Sequence, residues 1–112
     1  MASKFEIYQS EKSKEYYFRL KAANGQVVLS SQGYKDKAGA KNGADSVGNH
    51  SGDAKNFEKK ESSGGKAYFN LKAKNGQVIG TSQMYASSGS RDAGVKAVAS
   101  AAKGARVVDL SD

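Results

Sequence analysis

The sequence predicts an α+β fold with about seven strands in one antiparallel sheet and two helices on one face of that sheet. Two observations lead to this prediction. The chain of 112 residues aligns with itself at an offset of 51 residues. Within each repeat, apolar residues first recur at every second position and then at helical spacing. The chain is therefore predicted to be a single domain of two tandem repeats, about residues 3–52 and 53–110, related by pseudo-twofold symmetry.

The repeat is clearest in the middle of each half. Residues 17–27 (YFRLKAANGQV) lie over residues 68–78 (YFNLKAKNGQV). The match continues through Ser-Gln-x-Tyr at 31–34 and at 82–85. Such self-similarity is typical of one structural unit used twice, here a unit of about 50 residues.

The hairpin is the clearest local element of each repeat. Phe18 and Leu20 alternate with polar residues, as in a half-buried strand. Asn-Gly follows at 24–25 and again at 75–76. This dipeptide predicts a type I′ turn, which needs positive φ, into a further strand.

A first strand precedes each hairpin. Residues 5–8 pair with 57–60 if one residue is dropped from the turn that follows. The polar segments 11–14 and 62–65 predict this turn. Each repeat thus opens with a three-stranded meander.

Each repeat closes with an amphipathic helix. Asp36 and Ser87 are the predicted N-caps, because their side chains can accept hydrogen bonds from the first free backbone amides. Glycine inside a helix costs about 1 kcal/mol relative to alanine, yet Gly43 and Gly94 recur at one position. We therefore expect the helix backbone to lie close against the sheet there. The residues at helical spacing are Ala40, Gly43, Ala44 and Val47, and then Gly94, Val95, Val98, Ala101 and Ala102.

Two further segments complete the predicted fold. Residues 48–53 are small or polar turn formers and form the predicted linker between the repeats. Residues 105–110 are β-branched in part and predict a final strand. The predicted core residues are Phe5, Ile7, Phe18, Leu20, Val47, Phe69, Leu71 and Val98.

Composition narrows the function classes. The chain has no cysteine, which excludes disulfides, thiolate metal sites and cysteine nucleophiles. It lacks both a secretory signal and an apolar run of about 20 residues, the length of a bilayer-spanning helix. We therefore expect a cytoplasmic protein with no membrane partner.

No residue pattern points to catalysis or to a cofactor. The single histidine, His50, lies in the predicted linker and is interpreted as a surface residue. No serine lies in a Gly-x-Ser-x-Gly elbow, and no glycine-rich loop matches a nucleotide-binding pattern. Glu6 and Glu58 are interpreted as exposed strand positions rather than a facing acid and base. We therefore expect no enzymatic activity, no metal and no cofactor.

A first candidate ligand surface is the sheet face opposite the helices, here called the open sheet face. Bases of single-stranded nucleic acid could stack on its tyrosines while its cations follow the phosphates. The alternative, which we favour, is an ordinary solvated face on which tyrosine and lysine are common. The residues concerned are Tyr17, Arg19, Lys21, Tyr68, Asn70 and Lys72.

Net charge does not decide between these interpretations. Residues 1–56 carry 9 basic and 6 acidic groups, and residues 57–112 carry 9 and 5, so the excess is spread as +3 and +4. Lysine also outnumbers arginine 15 to 3, which disfavours bidentate recognition of phosphates or bases. Any nucleic-acid binding is therefore expected to be weak and nonspecific.

A second candidate surface is the pair of strand–helix corners. They lie beside helix N-termini, where free amides can hold a small anion. The alternative, which we favour, is that serine and glutamine satisfy backbone groups while the tyrosines seal the edge of the core. The corner residues are Ser31, Gln32, Tyr34, Ser82, Gln83 and Tyr85.

The double occurrence of Leu-Lys-Ala-x-Asn-Gly-Gln-Val, at 20–27 and 71–78, resembles the YegP-like family of small uncharacterised bacterial proteins. Ser-Gln-x-Tyr and a glycine-containing helix follow each occurrence, and the resemblance covers nearly the whole chain. It implies β3-α-β repeats in one antiparallel sheet, with the strand after each helix paired into the other repeat's half. The resemblance brings with it no established activity, substrate or catalytic residue. The first repeat departs from the family at Gly33.

Two functions remain open at this point. The first is a small non-enzymatic binding module whose ligand meets the open sheet face or the corners. The alternative is a protein–protein or structural role in which edge strands or the open sheet face form an interface. The tandem chain is expected to be a monomer, because it supplies internally what a single repeat would need a dimer to supply.

Overall fold

The computed structural model describes residues 3–111. Within this range neither helix is long and apolar enough to cross a bilayer. A single 3-10 turn, Ala54–Asn56, follows the first helix. The other elements are β1 (Lys4–Gln9), β2 (Tyr16–Lys21), β3 (Val27–Ser30), α1 (Lys37–His50), β4 (Phe57–Glu61), β5 (Ala67–Lys72), β6 (Val78–Thr81), α2 (Ser88–Ala102) and β7 (Arg106–Asp109).

The seven strands form one sheet in the order β4-β5-β6-β3-β2-β1-β7. All neighbouring strands are antiparallel except β1 and β7, which are parallel. The repeats meet where Ser30 of β3 lies opposite Thr81 of β6. β4 follows α1 and pairs with β5, whereas β7 follows α2 and pairs with β1. β7, which follows the helix of the second repeat, thus lies in the first repeat's half as expected, whereas β4 stays within the second repeat. The α+β fold with seven strands and two helices is confirmed, and among the described strands the parallel pairing of β1 with β7 is the one departure from the predicted antiparallel sheet.

The core lies between the sheet and the two helices, and every predicted core residue is buried. The centre of the sheet adds a contact that periodicity did not predict. Leu29 of β3 covers Gly80 of β6 so closely that a β-carbon on Gly80 would lie 2.6 Å from the Leu29 side chain. The core also holds Ala40, Ala44, Ala101 and Ala102 from the predicted apolar helix faces. The core residues that the sequence did not predict are Val28, Leu29, Phe57, Ala67 and Ile79.

The hairpin turns form where Asn-Gly predicts them, but the predicted type I′ geometry is wrong. Ala22 donates to the Gln26 carbonyl at 2.9 Å, so the loop holds three residues rather than two. The Ala22 carbonyl accepts from Gly25, and of the Asn24–Gly25 pair only Gly25 has positive φ, at 86°. This geometry is a type I turn followed by a bulge residue. Residues 73–77 repeat it.

The turn between the first two strands explains the change of offset between the repeats. In the first repeat Ser10 donates to the Glu15 carbonyl, and in the second Ser62 donates to the Lys66 carbonyl. The second loop is therefore one residue shorter, as the alignment predicts. Lys14 and Gly65 supply the positive φ of each loop, at 62° and 81°.

The predicted linker over residues 48–53 is too long. Helix α1 continues through His50, whose Nδ1 lies 2.7 Å from the Ser46 carbonyl one turn earlier. Asp53 then caps the 3-10 turn by accepting from the Lys55 amide at 3.0 Å. The first three of the six predicted linker residues are thus helical, and the His50 side chain finds a backbone partner within the helix.

The recurrent helix glycines allow a close approach, as expected, but the main contact is with a tyrosine rather than with the sheet itself. A β-carbon on Gly43 would overlap the Tyr34 hydroxyl and the Phe18 ring, and one on Gly94 would overlap the Tyr85 hydroxyl. The Tyr34 ring stacks on Phe18 with centroids 6.4 Å apart. The Tyr85 ring stacks on Phe69 at 6.3 Å. Each tyrosine is thus held between a helix and a core phenylalanine.

Candidate ligand surface on the open sheet face

The open sheet face is formed by the strand residues that alternate with the core. All six predicted candidate residues lie on it, three from β2 and three from β5. The register adds neighbours from the outer strands, since residues that are opposite each other across a ladder share a face. These neighbours are Lys4, Glu6 and Tyr8 on β1, Arg106 and Val108 on β7, and Glu58 and Lys60 on β4.

Glu6 corrects the expectation of an exposed carboxylate, because only 5% of the residue is exposed. Its oxygens lie 2.8 Å from Arg19 Nε and 3.2 Å from Lys21 Nζ, and Lys4 Nζ lies 3.4 Å away. Burial raises the pKa of Glu6, but hydrogen bonds from these three cations outweigh it and hold the pKa below its ordinary value. Glu6 is therefore an ionised anchor for three cations.

An aromatic pair lies beside this cluster. The rings of Tyr8 and Tyr17 stack at 5.7 Å with an interplanar angle of 17°. The Arg19 guanidinium lies 4.7 Å from the centroid of the Tyr8 ring. Tyr8 was not among the predicted site residues, although its period-two spacing from Glu6 indicates the same face. Part of the stacking surface of Tyr17 is thus covered by a neighbouring ring.

The second half of the face is arranged differently. Glu58 accepts from Lys72 Nζ at 2.9 Å and from the side-chain amide Nδ2 of Asn70 at 3.4 Å. These hydrogen bonds lower the pKa of Glu58. Thr81 donates to the Asn70 side-chain oxygen at 2.8 Å. Within residues 3–111, Tyr68 has no aromatic stacking partner, so its ring is the more available of the two predicted tyrosines.

Folding concentrates charge that the sequence spreads evenly. The strand residues of the open sheet face comprise six cations and two carboxylates, a net charge of +4 against +7 for the chain. The carboxylates are Glu6 and Glu58. Counting charge along the chain missed this because the strands alternate between faces. The cations are Lys4, Arg19, Lys21, Lys60, Lys72 and Arg106.

The strand–helix corners use their polar groups internally. Ser31 Oγ accepts from the Phe18 amide at 2.8 Å and donates to the Gln32 carbonyl at 2.8 Å. Ser82 makes the equivalent bonds with Phe69 and Gln83. The side chains of Gln32 and Gln83 are exposed. The serine hydrogen bonds agree with the structural interpretation of the corners, but the exposed glutamine side chains do not take the backbone-satisfying role expected of them.

The helix N-termini beside the corners are also capped from within the chain. Asp36 accepts from the Gly39 amide at 2.8 Å, and Ser87 accepts from the Ser90 amide at 3.1 Å. Both N-cap predictions are therefore confirmed. Burial raises the pKa of Tyr34, which keeps its hydroxyl neutral against the helix.

We expect Ser82→Ala to lower the free energy of unfolding by about 1–2 kcal/mol, because the buried Phe69 amide would lose its acceptor. Ser31 is only half-buried, and water can replace it, so Ser31→Ala should cost less. Urea unfolding measures both changes, with exposed Ser88→Ala as the control. Equal stability of Ser82→Ala and Ser88→Ala would contradict this role for Ser82.

Metal-ligating side chains do not gather in the part of the chain that the structure describes. Over residues 3–111, no group of three His, Cys, Asp or Glu side chains is placed to hold a metal ion. His50, at the end of α1, contacts Ser46 instead.

Comparison with known proteins gives relatives over the whole chain. The family model described as "Domain of unknown function (DUF1508)" matches twice, at residues 11–58 and 62–109. A Stutzerimonas stutzeri protein, "UPF0339 protein in ptx operon 5'region", is 50% identical over 112 residues, covering 100% of both chains.

Two solution NMR structures have the same fold. The structure of yegP from E. coli, a protein of unknown function, matches with a TM-score of 0.92 and 42% identity, covering 99% of this chain and 95% of that one. The UPF0339 protein of Shewanella oneidensis matches with a TM-score of 0.90 and 42% identity, covering 99% and 93%.

Proposed function

We propose that this chain, which belongs to the DUF1508 family, is a small non-enzymatic module that binds single-stranded nucleic acid on its open sheet face. The observation that carries the proposal is the net +4 that folding concentrates on that face, interleaved with tyrosine rings. Cations attract the phosphate backbone, and rings stack with bases of any sequence. A duplex presents no free base faces and is expected to bind less.

The proposed binding is weak and sensitive to salt. Six cations against two carboxylates attract a polyanion, but every one of these cations except Arg106 already lies within 3.9 Å of Glu6 or Glu58. Single strands lose affinity with a log–log slope of about −0.7 per neutralised phosphate. Four neutralised phosphates would therefore give a slope of about −3.

Replacing Tyr68 with alanine should weaken binding of a short single-stranded oligonucleotide by about fivefold or more, since stacking contributes about 1–3 kcal/mol per base. Tyr17→Ala should have a smaller effect, because the Tyr17 ring already stacks on Tyr8. An NMR amide titration at low and at physiological salt measures both affinity and location. Lys96→Ala, on the exposed side of α2, is the charge control.

The outcome of this titration is decisive in both directions. Shifts confined to the open sheet face that fade with salt would support the proposal. Shifts scattered over the helix lysines, or undiminished binding by both tyrosine variants, would refute it.

The edge of β4 favours the alternative function, an interaction with another protein. β4 is the end strand, whereas its pseudo-twofold counterpart β1 is covered by β7 in parallel. The backbone N–H and carbonyl of Phe69 both bond to Ser82, on the side of β5 that faces away from β4. Lys59 lies directly opposite Phe69, so the backbone N–H and carbonyl of Lys59 point away from β5, towards the open edge. An extended partner segment running parallel to β4 would meet these groups.

Substitutions at Lys59 and Tyr68 separate the two functions. Proline at Lys59 removes the outward N–H while keeping the β4–β5 ladder, since edge positions of this kind tolerate proline. Lys59→Ala keeps the N–H and removes only the ion pair with Asp92, which makes it the matched control. Binding of a partner protein that Lys59→Pro abolishes, and that Lys59→Ala and Tyr68→Ala both retain, would favour the edge over the open sheet face.

A further inference from the structure

We infer that a depression at one end of the open sheet face is a built site for a single phosphate group. The depression, of about 350 Å³, lies between the start of β1, the start of β7 and the β2–β3 turn. This inference rests on the proposed function for its use, because it places one phosphate of the bound strand. Its lining is Lys4, Lys21, Ala22, Ala23, Asn24, Gly25 and Arg106.

Three cations lie in a row across adjacent strands at this end. Lys4 of β1 is directly opposite Lys21 of β2 and also directly opposite Arg106 of β7. Neighbouring strands are about 4.8 Å apart, so the side chains of all three can reach one small anion. Lysine offers a point charge and arginine a planar fork of donors, which together suit phosphate oxygens.

The row is short of negative charge. Like charges directly opposite one another destabilise a sheet. Glu6 pairs with Lys4 and Lys21, but the same carboxylate also holds Arg19. Arg106 is exposed and forms none of the ion pairs within residues 3–111. Four cations with one carboxylate leave a local charge of +3, which a phosphate would partly neutralise.

The pseudo-twofold counterpart of this site is incomplete, which provides an internal control. Lys72 corresponds to Lys21, but Asn56 corresponds to Lys4 and donates its side-chain amide to the His50 carbonyl at 2.9 Å. No strand lies outside β4 in the described part of the sheet, so nothing corresponds to Arg106. The site exists in only one half of the sheet, because β7 covers β1 and no described strand covers β4.

The ligand class is therefore a phosphate group, which a nucleic-acid strand offers in two forms. A 5′-terminal phosphate is a monoester with up to two charges, and an internal phosphate is a diester with one. Inorganic phosphate, the first probe, tests the shared chemistry. A 5′-phosphorylated oligonucleotide and the same oligonucleotide with a 5′-hydroxyl then distinguish the two sources.

The experiment is an NMR amide titration of the full chain with sodium phosphate at constant ionic strength, set against sodium chloride. We expect shifts at Lys4, Lys21, residues 22–25 and Arg106. Arg106→Gln should weaken phosphate binding by about tenfold, the effect of one lost charge-assisted hydrogen bond. Lys72→Gln removes the same charge from the other half and should change it little. Arg106→Lys should restore part of the affinity, and thermal unfolding of each variant checks that it is folded.

Equal losses in Arg106→Gln and Lys72→Gln, or phosphate shifts no larger than those of chloride, would overturn the site. Binding of phosphate here without any binding of oligonucleotide would leave the site intact and remove the proposed function. Oligonucleotide shifts on the open sheet face that spare Lys4, Lys21 and Arg106 would support the proposed function and overturn the phosphate site. A preference for the 5′-phosphorylated strand that disappears in Arg106→Gln identifies the terminal phosphate as the ligand, and an equal loss for both strands identifies the diester.

Discussion

Replacing Gly94 with alanine should destabilise the protein by about 1–3 kcal/mol, although alanine is the better helix former. The new methyl group would overlap the Tyr85 hydroxyl and lie 2.6 Å from the carbon that bears it. Tyr85 cannot easily move away, since its ring stacks on buried Phe69 and its backbone pairs with Ala67. Urea unfolding at neutral pH measures the loss.

The sign of this effect should reverse when the tyrosine is shortened. In a Tyr85→Leu background the atoms that crowd Gly94 are gone, so Gly94→Ala should be neutral or stabilising by up to about 1 kcal/mol. Gly89→Ala is the control in the same helix, because a methyl group there meets only the Ser87 hydroxyl at 3.9 Å. If Gly94→Ala were as harmless as Gly89→Ala in the unmodified protein, the proposed role of the recurrent glycines would be wrong.

Glu6→Gln should lower the free energy of unfolding by about 1.5–3 kcal/mol at pH 7, since a neutral amide would face three cations. Glu58→Gln is the matched variant in the second half. Glu58 is more exposed and holds Lys72 closely, with Lys60 at 3.9 Å, so a smaller loss of stability is expected there.

The open sheet face of Glu6→Gln gains one positive charge, and its affinity for a polyanion should rise rather than fall.

The contribution of Glu6 should also depend on pH in a defined direction. The pKa of Glu6 in the folded protein lies below its ordinary value of 4.5. Its stabilising effect is thus complete above about pH 4.5 and is lost as the pH falls through the lower, folded pKa. The stability gap between the unmodified protein and Glu6→Gln should narrow on acidification. A gap that stays constant from pH 7 to pH 3 would mean that the Glu6 charge contributes nothing.

Local patterns were sufficient to predict the elements of this fold. The period-two strands and the caps at Asp36 and Ser87 each depend on residues close together in sequence, and the repeat is visible by aligning the chain with itself. The structure confirms all three. Turn geometry was harder to predict, because Asn-Gly suits both a two-residue loop and the last two positions of a three-residue loop. The choice between them depends on how the strands pair beyond the loop.

The candidate site was only partly predictable, because its character comes from strand order. Placing β1 between β2 and β7 surrounds Glu6 with Lys4, Arg19 and Lys21 and seats it opposite Val108. The spacing within β1 places Lys4 on the same face as Glu6, and the predicted meander brings β2 beside them, but no spacing within β1 shows that β7 covers its other edge. The same order brings Arg106 to residues about 100 positions earlier in the chain. Periodicity therefore identified the face correctly, but not its buried carboxylate or its concentration of charge.

The parallel pairing of β7 with β1 makes the two repeats unequal during synthesis. β7 leaves the ribosome after the other six strands, and it completes the sheet of the first repeat, from Lys4 opposite Arg106 to Ile7 opposite Asp109. The first repeat consequently cannot reach its final structure until β7 has been made, although the second repeat has all its own strands in sequence. Pairing across such a long stretch of chain slows folding. A chain cut short before residue 106 would therefore expose the edge of β1, the first strand made, rather than the edge of β6, the last.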